Sequence, residues 1–297
     1  MVRRYRRLNL IFWTGLGLAG VGLSWSFFPV PDADPNYFPI VRRSVYGRRG
    51  PRVLIDESHW NLHKANGRYR PFAQLVARDG YRVSRNKQKL VPPLLTGTDV
   101  LVIAGALGFK GSLQRFANLA GLAGKVDFEV NAFESDEIQA VRDWVLGGGS
   151  LLLVVDDAPC DEAAREMAAA FEVRMTDWYT EDPNPMIRFE PGAGIEDHPI
   201  TQGRPDFNEQ IGSVLTFAGQ SLTGPSGSDA ILKLSSKAIA IAFEFGKGRV
   251  VAIGSAAALT AHVIRRDGRD FRFGINDRQS GNRQFVLNIM HWLSRAL

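Results

Sequence analysis

Short apolar runs alternate along the chain with segments whose apolar residues recur every three or four positions. The runs Val53–Ile55, Asp99–Ala104 and Leu151–Val155 are short and continuous, which is typical of strands buried inside a sheet. A weaker run over Tyr81–Val83 predicts another strand. These four runs therefore predict the core strands of the first half of the chain.

Two helices between these strands are well marked. Pro71 suits the first turn of one helix, and Ser135 suits the start of the other. Their inner faces are predicted to carry Phe72, Leu75 and Val76 in the first helix, and Ile138, Val141 and Val145 in the second. Because strands and helices alternate, we expect an α/β fold of the flavodoxin-like kind, with a mostly parallel central sheet flanked by helices.

The second half of the chain is richer in strands and ends in a helix. The predicted strands are Val214–Phe217, Ile231–Leu234, Ala238–Phe245 and Arg249–Ile253. The final helix is predicted to begin at about Asn282, with its apolar side facing inward and His291 on the solvated side. A further helix is predicted before these strands, with Ala164, Met167, Ala168 and Phe171 at core spacing.

The N-terminus has the pattern of a membrane anchor. Residues 8–30 contain no charged side chain, and a span of about 20 such residues crosses a bilayer. The arginines that precede the span place the N-terminus in the cytoplasm: Arg3, Arg4, Arg6 and Arg7. The alternative is a cleaved secretory signal, whose best cleavage site, at Ser24 and Ser26, is poor. We expect a single-pass inner (cytoplasmic) membrane protein whose globular part is extracytoplasmic.

Three regions follow from this pattern: a basic tip and anchor at 1–30, a linker at 31–51 and an α/β domain at 52–297. The linker is rich in proline and arginine and shows no period of a helix or strand. Its arginines are either simply solvated or in contact with anionic lipid headgroups, and the sequence leaves both alternatives open.

The formal net charge of +5 does not indicate a nucleic-acid partner. Four of the 36 basic residues precede the anchor, so the rest of the chain is almost balanced against its 31 acidic residues. Nucleic-acid binding requires a clustered basic footprint, and we expect none. The single cysteine, Cys160, allows no internal disulfide, so the fold depends on its apolar core.

The candidate chemistry lies where two predicted strands end. Asp56 and Glu57 follow the first strand, and Asp156 and Asp157 follow the strand at Leu151–Val155. Carboxylates crowded at one edge of a sheet raise at least one pKa, which suits general acid or base catalysis. With His59 they form the candidate catalytic set of Asp56, Glu57, His59 and Asp157. The structural alternative is that these acids cap turns and pair with arginines.

Familiar site motifs are otherwise missing from the sequence. There is no HExxH, paired CxxC, EF-hand loop, GxGxxG or Walker motif, so we expect no metal and no cofactor. Gly254-Ser255-Ala256 lacks the second glycine of a serine-hydrolase elbow. We predict that the Ser255 hydroxyl instead caps the following helix, while keeping Ser255 among the ligand-binding candidates.

Five sequence segments, taken in their order along the chain, resemble those of a known group of proteins. They are Asp56-Glu-Ser-His59, the helix-to-strand run from Ile138 to Val155, His198-Pro-Ile-Thr201, the strand from Gly248 to Gly254, and Asn282-Arg-Gln-Phe285. Together they resemble the uncharacterised bacterial membrane-anchored proteins with a class I glutamine amidotransferase-like domain. These are related to the trehalose-utilisation-like proteins and to the gliding-motility and intraflagellar-transport domains. The resemblance covers about residues 50 to 297 and implies that fold.

The same resemblance argues against amidotransferase chemistry. In that superfamily a nucleophilic cysteine sits on a sharp, glycine-flanked turn directly after a buried strand. Here the strand is followed by Asp156-Asp157-Ala158-Pro159, and Cys160 comes several residues too late, beside Asp161. We therefore expect no thiol catalysis.

Two longer segments are predicted to shape a ligand surface or, alternatively, to pack as plain surface loops. Residues 105–133 have the apolar residues of a helical lid, and residues 176–190 carry Trp178 and Tyr179 among acidic residues, a pattern that suits stacking of a sugar or peptide. The full set of ligand-binding candidates is Asn61, Asp156, Trp178, Tyr179, His198, Ser255 and Asn282.

Three functions fit the sequence. The preferred one is a membrane-anchored, extracytoplasmic protein that binds a ligand, an envelope protein or a glycan, without catalysis. The second is a hydrolase of an envelope glycan or amide that works through carboxylates and histidine. The third is a subunit of a membrane transport or secretion assembly.

Overall fold

The computed structural model describes residues 33–47, 49–120, 130–156, 159–178, 186–217, 219–266 and 269–297. Within these ranges no helix is long and apolar enough to cross a bilayer. The predicted anchor at 1–30 lies outside the described residues, and so do Asp157, Tyr179 and parts of the two predicted ligand-shaping segments.

The described residues form strands β1 to β14 and helices α1 to α8. The strands are β1 Arg52–Asp56, β2 Arg82–Asn86, β3 Val100–Ala104, β4 Ser150–Val154, β5 Arg174–Trp178, β6 Met186–Pro191, β7 Gly194–Ile195, β8 Val214–Phe217, β9 Gln220–Thr223, β10 Asp229–Leu234, β11 Lys237–Phe245, β12 Gly248–Ile253, β13 Ala261–Arg266 and β14 Arg269–Gly274. The helices are α1 Arg70–Arg78, α2 Pro92–Thr96, α3 Gly108–Leu119, α4 Ser135–Leu146, α5 Cys160–Ala163, α6 Arg165–Ala169, α7 Pro199–Gln202 and α8 Asn282–Leu293. Short 3₁₀ helices cover Pro205–Phe207 and Ala256–Leu259.

The large sheet has a parallel half and an antiparallel half. Strands β2, β1, β3, β4 and β12 lie in that order, and each pairs with its neighbour in parallel. Beyond β12 the sheet continues through β11, β10 and β7, whose pairings are antiparallel. The prediction of a mostly parallel sheet therefore holds only for the first half, because the strand-rich second half adds hairpins rather than strand-helix-strand units. The fold is a mixed α/β fold with a large sheet flanked by helices.

The core lies on both faces of the parallel half. Val53 and Ile55 of β1 point to one face, where they join Phe72 of α1 and Phe285 of α8. Leu54 points to the other face and joins the apolar residues of α4 and α6. This alternation with a period of two is what a strand buried on both sides requires.

The predicted elements of the first half are confirmed to within a few residues. Pro71 stands in the first turn of α1, α4 begins at Ser135, and α8 begins at Asn282. The predicted helix after β4 is instead divided into the two short helices α5 and α6. The small strands β5, β6, β7 and β9 and the hairpin β13–β14 were not predicted, since their sequences lack continuous apolar runs.

The prediction that His291 is a solvated surface residue is wrong. His291 is buried, and its Nε2 atom lies 2.6 Å from Oδ2 of Asp79, which is also buried. Helix α8 is covered on its second side by α7 and by the segment after residue 33, so the face opposite the sheet is not solvated. A helical period shows which side of a helix is most apolar, but it does not show whether the other side is covered.

Candidate functional site

Asp56 ends β1 at the carboxyl edge of the parallel strands, and its side chain is fully enclosed. Its Oδ2 atom is 2.7 Å from Nδ1 of His59 and accepts a hydrogen bond from the side-chain amide of Asn61 at 3.1 Å. Its Oδ1 atom accepts hydrogen bonds from the hydroxyl of Ser58 at 2.8 Å and the amide of Asn86 at 3.1 Å. Every acceptor site of the carboxylate is thus oriented towards the protein's own groups.

His59 connects Asp56 to helix α4. Its Nε2 atom lies 3.0 Å from Oε1 of Glu137, and Glu137 also accepts hydrogen bonds from the backbone N–H groups of Leu90 and Glu134. We call Asp56, His59 and Glu137 the buried network. Sequence reasoning did not single out Glu137, which lies in the first turn of the predicted helix.

Two opposing effects set the protonation of the buried network. Burial alone would lower the pKa of His59, but its hydrogen bonds to Asp56 and Glu137 outweigh burial and raise this pKa to about 9. Burial would raise the pKa of Glu137, but the His59 contact and the two backbone donors lower it to about 2. At neutral pH His59 is therefore an imidazolium and Glu137 a carboxylate. Because its members are buried and mutually bonded, the network joins β1 to α4 rather than receiving a ligand.

Glu57 follows the structural alternative that the sequence left open. Both of its carboxylate oxygens accept hydrogen bonds from Arg85 of β2, at 2.7 to 2.9 Å, and Oε1 also accepts one from the N–H of Ala65. Such a bidentate pair fixes the loop after β1 to the neighbouring strand. No oxygen of Glu57 is positioned for chemistry.

Asp156 stands in the turn directly after β4 and has a left-handed backbone, with φ of 55°. This conformation is uncommon for a residue with a side chain, although aspartate tolerates it better than most residues do. Its Oδ2 atom is 3.0 Å from Nε2 of His63, and Oδ1 accepts a hydrogen bond from the N–H of Ala256 at 3.3 Å. In the superfamily that the sequence resembles, this turn after a buried strand is where the nucleophile sits. Here a carboxylate occupies it.

His63 and Tyr69 line the same place, and each has a buried polar atom to which no described residue is bonded. These atoms are Nδ1 of His63 and the hydroxyl of Tyr69. The two rings pack at 4.8 Å, and Gly105 at the end of β3 approaches so closely that a Cβ there would lie 2.8 Å from the His63 ring. We call Asp156, His63 and Tyr69 the strand-end site.

The strand-end site is negatively charged and within reach of solvent. Burial opposes ionisation of Asp156, but the hydrogen bond with His63 and the N–H of Ala256 lower the pKa of its carboxyl below the ordinary value. Burial and the charge of Asp156 raise the pKa of Tyr69, so its hydroxyl stays protonated and can donate. The side chain of Asp156 is 19% exposed, whereas that of Asp56 is fully enclosed. Asp156 is therefore the partly exposed member of the strand-end site, whereas His63 and Tyr69 are buried.

Cys160 lies in α5 and is 1% exposed. It begins a short helix four residues beyond Asp156, away from the left-handed turn. Its neighbour Asp161 has a pKa raised to about 6 by burial, and Oδ2 of Asp161 accepts a hydrogen bond from Gln220. A buried thiol in this position does not suit nucleophilic attack on a substrate.

The other predicted site residues are spread over the fold. The prediction that the Ser255 hydroxyl caps the following helix is wrong: Ser255 precedes a 3₁₀ helix, but its hydroxyl makes no capping bond and accepts a hydrogen bond from Thr216 instead. Asn282 is buried and bonds the backbone of Leu215 and Ala258, while His198 caps α7. Trp178 ends β5 on the far side of β9, and its side chain is not described.

Sequence reasoning found Asp156 as a candidate but did not predict its hydrogen bond with His63 or its backbone conformation. One signal was present: His63 lies in the polar loop after β1, and parallel strands bring such loops to a common edge. Among the described residues, no group of three or more His, Cys, Asp or Glu side chains is arranged to hold a metal ion.

No protein-family model matches the chain, and no curated protein is similar to it in sequence. Solved structures do resemble it. The mmIFT52 N-terminal domain has a TM-score of 0.56 at 12% identity, over 82% of this chain and 97% of that domain. A ThuA-like (trehalose-utilisation-like) protein from Bacteroides uniformis has a TM-score of 0.45 at 12% identity, over 85% of this chain and 94% of the other. A GMP synthase protein from Thermoplasma acidophilum scores 0.44 at 9% identity, over 84% and 96%.

The likeness to the mmIFT52 domain shows the fold alone, because the identity is so low, and the other two scores are too low to support an argument. The expected relation to the intraflagellar-transport domains is thus confirmed in part, as a likeness of fold. The expected relation to trehalose-utilisation and amidotransferase proteins stays a prediction. Membrane anchoring stays a prediction.

Proposed function

We propose that the protein is a membrane-anchored, extracytoplasmic binding protein that uses the strand-end site and has no thiol chemistry. One observation carries the proposal. The turn where the amidotransferases that the sequence resembles hold a nucleophilic thiol is occupied by Asp156, and the single cysteine is buried in α5. The fold therefore presents a charged acceptor at its edge in place of a reactive sulfur.

The chemistry of the strand-end site supports recognition of a polar ligand. Asp156 is an ionised and partly exposed acceptor, and beside it lie the protonated hydroxyl of Tyr69 and Nδ1 of His63, two buried polar atoms to which no described residue is bonded. Buried polar atoms without a protein partner are costly unless something bonds to them. An envelope glycan or peptide, rich in hydroxyl and amide groups, supplies the matching donors and acceptors.

Two assays on the full chain in mild detergent test the proposal. The first measures ammonia release from glutamine, and we expect none; activity that Cys160→Ser abolishes would overturn the claim. The second measures the melting temperature with a panel of envelope glycans and peptides. A ligand at 100 times its Kd stabilises by about 2.7 kcal/mol, and Asp156→Asn should lose that gain. A gain that Asp156→Asn retains would place binding elsewhere.

A carboxylate-dependent hydrolase is the second candidate, and the strained backbone of Asp156 favours it. Strain at φ of 55° costs stability and is found at catalytic turns, where it orients a reacting group. In this alternative the carboxylate of Asp156 either attacks the substrate as a nucleophile or takes a proton from an attacking water molecule. His63, which is bonded to Asp156, shares that proton. Turnover of a glycan or amide substrate that disappears in Asp156→Asn, with the melting temperature unchanged, would replace binding by catalysis.

The predicted anchor is tested separately. Membranes of expressing cells are washed at high pH, and the full chain is followed against a variant lacking residues 1–30. We expect the full chain to stay with the membrane and a protease added outside the membrane to cleave the domain. Release of the full chain by the wash would contradict the anchor. The proposal of binding at the strand-end site would then stand without a membrane.

A further inference from the structure

The described chain enters the fold at the carboxyl edge of the parallel strands. The N–H of Asp34 donates to the carbonyl of Ala261 at 2.8 Å, and Ala33 pairs with His262. Arg70, at the start of α1, donates to the carbonyl of Asp34. Helix α1 begins after the loop that leaves β1, and Ala261 follows the 3₁₀ helix that leaves β12. Both contacts therefore lie at the edge where these strands end.

The strand-end site lies at this same edge. Tyr69 is adjacent to Arg70 in the chain and packs on His63, which bonds Asp156. The N–H of Ala256, in the same 3₁₀ helix that leads to Ala261, donates to Asp156. Asp34, where the described chain enters the fold, is thus connected to the strand-end site in two ways. One connection runs through α1 and Tyr69, and the other runs through the 3₁₀ helix.

The hairpin β13–β14 projects from this edge. Phe273 packs against Phe217, with ring centroids 4.8 Å apart, and is 6% exposed. Phe271, two residues further along the same face of the strand, is 52% exposed. The exposed fraction changes so abruptly because the hairpin leaves the body of the domain between these two positions.

The projecting part and the entering segment share one chemistry. Arg269 is exposed two residues before Phe271, on the same face of the strand. The opposite face carries the exposed Asp270 and also Arg272, whose Nε atom lies 3.9 Å from Oδ2 of Asp34. Just after the entry point, Phe38 is 72% exposed and Ile40 is also exposed. Exposed aromatic and aliphatic side chains among arginines are what binds the headgroup region of an anionic bilayer.

The distances allow this contact. The uncharged span predicted from the sequence ends at residue 30, and three residues of extended chain reach at most about 10 Å. A six-residue strand such as β13 or β14 extends about 20 Å. A hairpin that starts about 10 Å from the bilayer and extends about 20 Å can touch the lipid surface.

We propose that Phe38, Ile40, Arg269 and Phe271 form a membrane-facing surface that rests on anionic lipid headgroups. The strand-end site then faces the bilayer, and the polar ligand that it binds is presented at the membrane surface. This inference rests on the proposed anchor, since without it nothing brings this edge to a bilayer.

The experiment labels single thiols on the full chain. Phe271→Cys is reacted with a membrane-impermeant maleimide in detergent, in zwitterionic nanodiscs and in nanodiscs with anionic lipid. Cys160 is buried, so the parent chain supplies a low background rate. The control is Lys247→Cys, an exposed residue in the turn before β12, at the opposite edge of the sheet.

In anionic nanodiscs we expect labelling of Phe271→Cys to slow relative to detergent, while Lys247→Cys is unchanged. Adding Arg269→Glu to Phe271→Cys should restore labelling, because each arginine near an anionic surface changes binding about fivefold. Equal rates for Phe271→Cys in all three settings would overturn the membrane-facing surface while leaving the anchor intact. Failure of the chain to enter nanodiscs would instead overturn the anchor. If labelling of Phe271→Cys in detergent slows as the protein concentration rises, the surface contacts a second copy of the chain and not the membrane.

Discussion

The Nε2 atom of His63 lies 3.0 Å from Oδ2 of Asp156, and this contact joins the loop after β1 to the turn after β4. The two strands are separated by β3, so the contact spans the crevice at the carboxyl edge of the sheet. In open α/β sheets this crevice is the usual place for a ligand, because neighbouring loops diverge there.

Substitutions at Asp156 should separate backbone strain from side-chain bonding. Asp156→Asn keeps a short polar side chain that tolerates left-handed backbone, so we expect a loss within about 1 kcal/mol. Asp156→Val should lose about 1–3 kcal/mol from strain alone, plus the bonds to His63 and Ala256. Urea unfolding of the full chain in detergent measures both.

Glu172 supplies the matched control, since it has φ of 58° and lies in the turn that follows α6. Glu172→Val should show the strain cost without the site's hydrogen bonds. If Glu172→Val and Asp156→Val cost the same, the contacts of Asp156 contribute nothing to stability.

The buried network should make stability depend on pH. The pKa of His59 is raised from 6.5 to about 9 on folding, so its stabilising effect is fully present below 6.5 and is lost as the pH rises through about 9. We expect the urea midpoint to fall between pH 6.5 and 9. His59→Gln should remove that part of the fall, as seen in the difference between the two pH profiles. Parallel profiles for the two proteins would show that His59 does not change protonation on folding.

Glu137 should be more important for stability than any exposed acid. Its removal leaves Nε2 of His59 and the N–H of Leu90 buried without a partner, although Nδ1 of His59 keeps Asp56, and breaking such a buried pair costs about 3–5 kcal/mol. We therefore expect Glu137→Ala to lower the unfolding free energy by this amount. Glu190→Ala, which removes an exposed carboxylate from β6, should change it by less than about 1 kcal/mol. A small loss at both positions would mean that water replaces Glu137.

The sequence was sufficient to find the strand ends but not their contacts. Asp56 and Asp156 both follow runs that are plainly apolar, so their place at one edge could be predicted from periodicity and the geometry of parallel strands. Which acid becomes enclosed depends on what packs above it. Glu137 comes from a helix 78 residues away from His59 in the chain, and no local pattern records that approach.

The antiparallel half shows a second limit. The long apolar run of β11 was recognised from the sequence. Strands β13 and β14 were not, because they carry arginines among their apolar residues and resemble a surface loop. A hairpin that projects from the domain has no face buried throughout, and it therefore lacks the alternation by which strands are recognised.

Asp79 and His291 give the last prediction, because they anchor the entering segment to the helices. Oδ1 of Asp79 accepts a hydrogen bond from the N–H of Val45, and Oδ2 lies 2.6 Å from His291. His291→Leu should cost about 3–5 kcal/mol, since it leaves a buried carboxylate without its partner. In His291→Leu/Asp79→Asn most of this loss should be recovered, because asparagine still accepts from Val45 but carries no charge. Urea unfolding of the single and double variants separates the contribution of the buried charge of Asp79 from that of the packing of His291. If the double variant recovers no stability, the loss comes from the packing of His291 and not from the charge of Asp79.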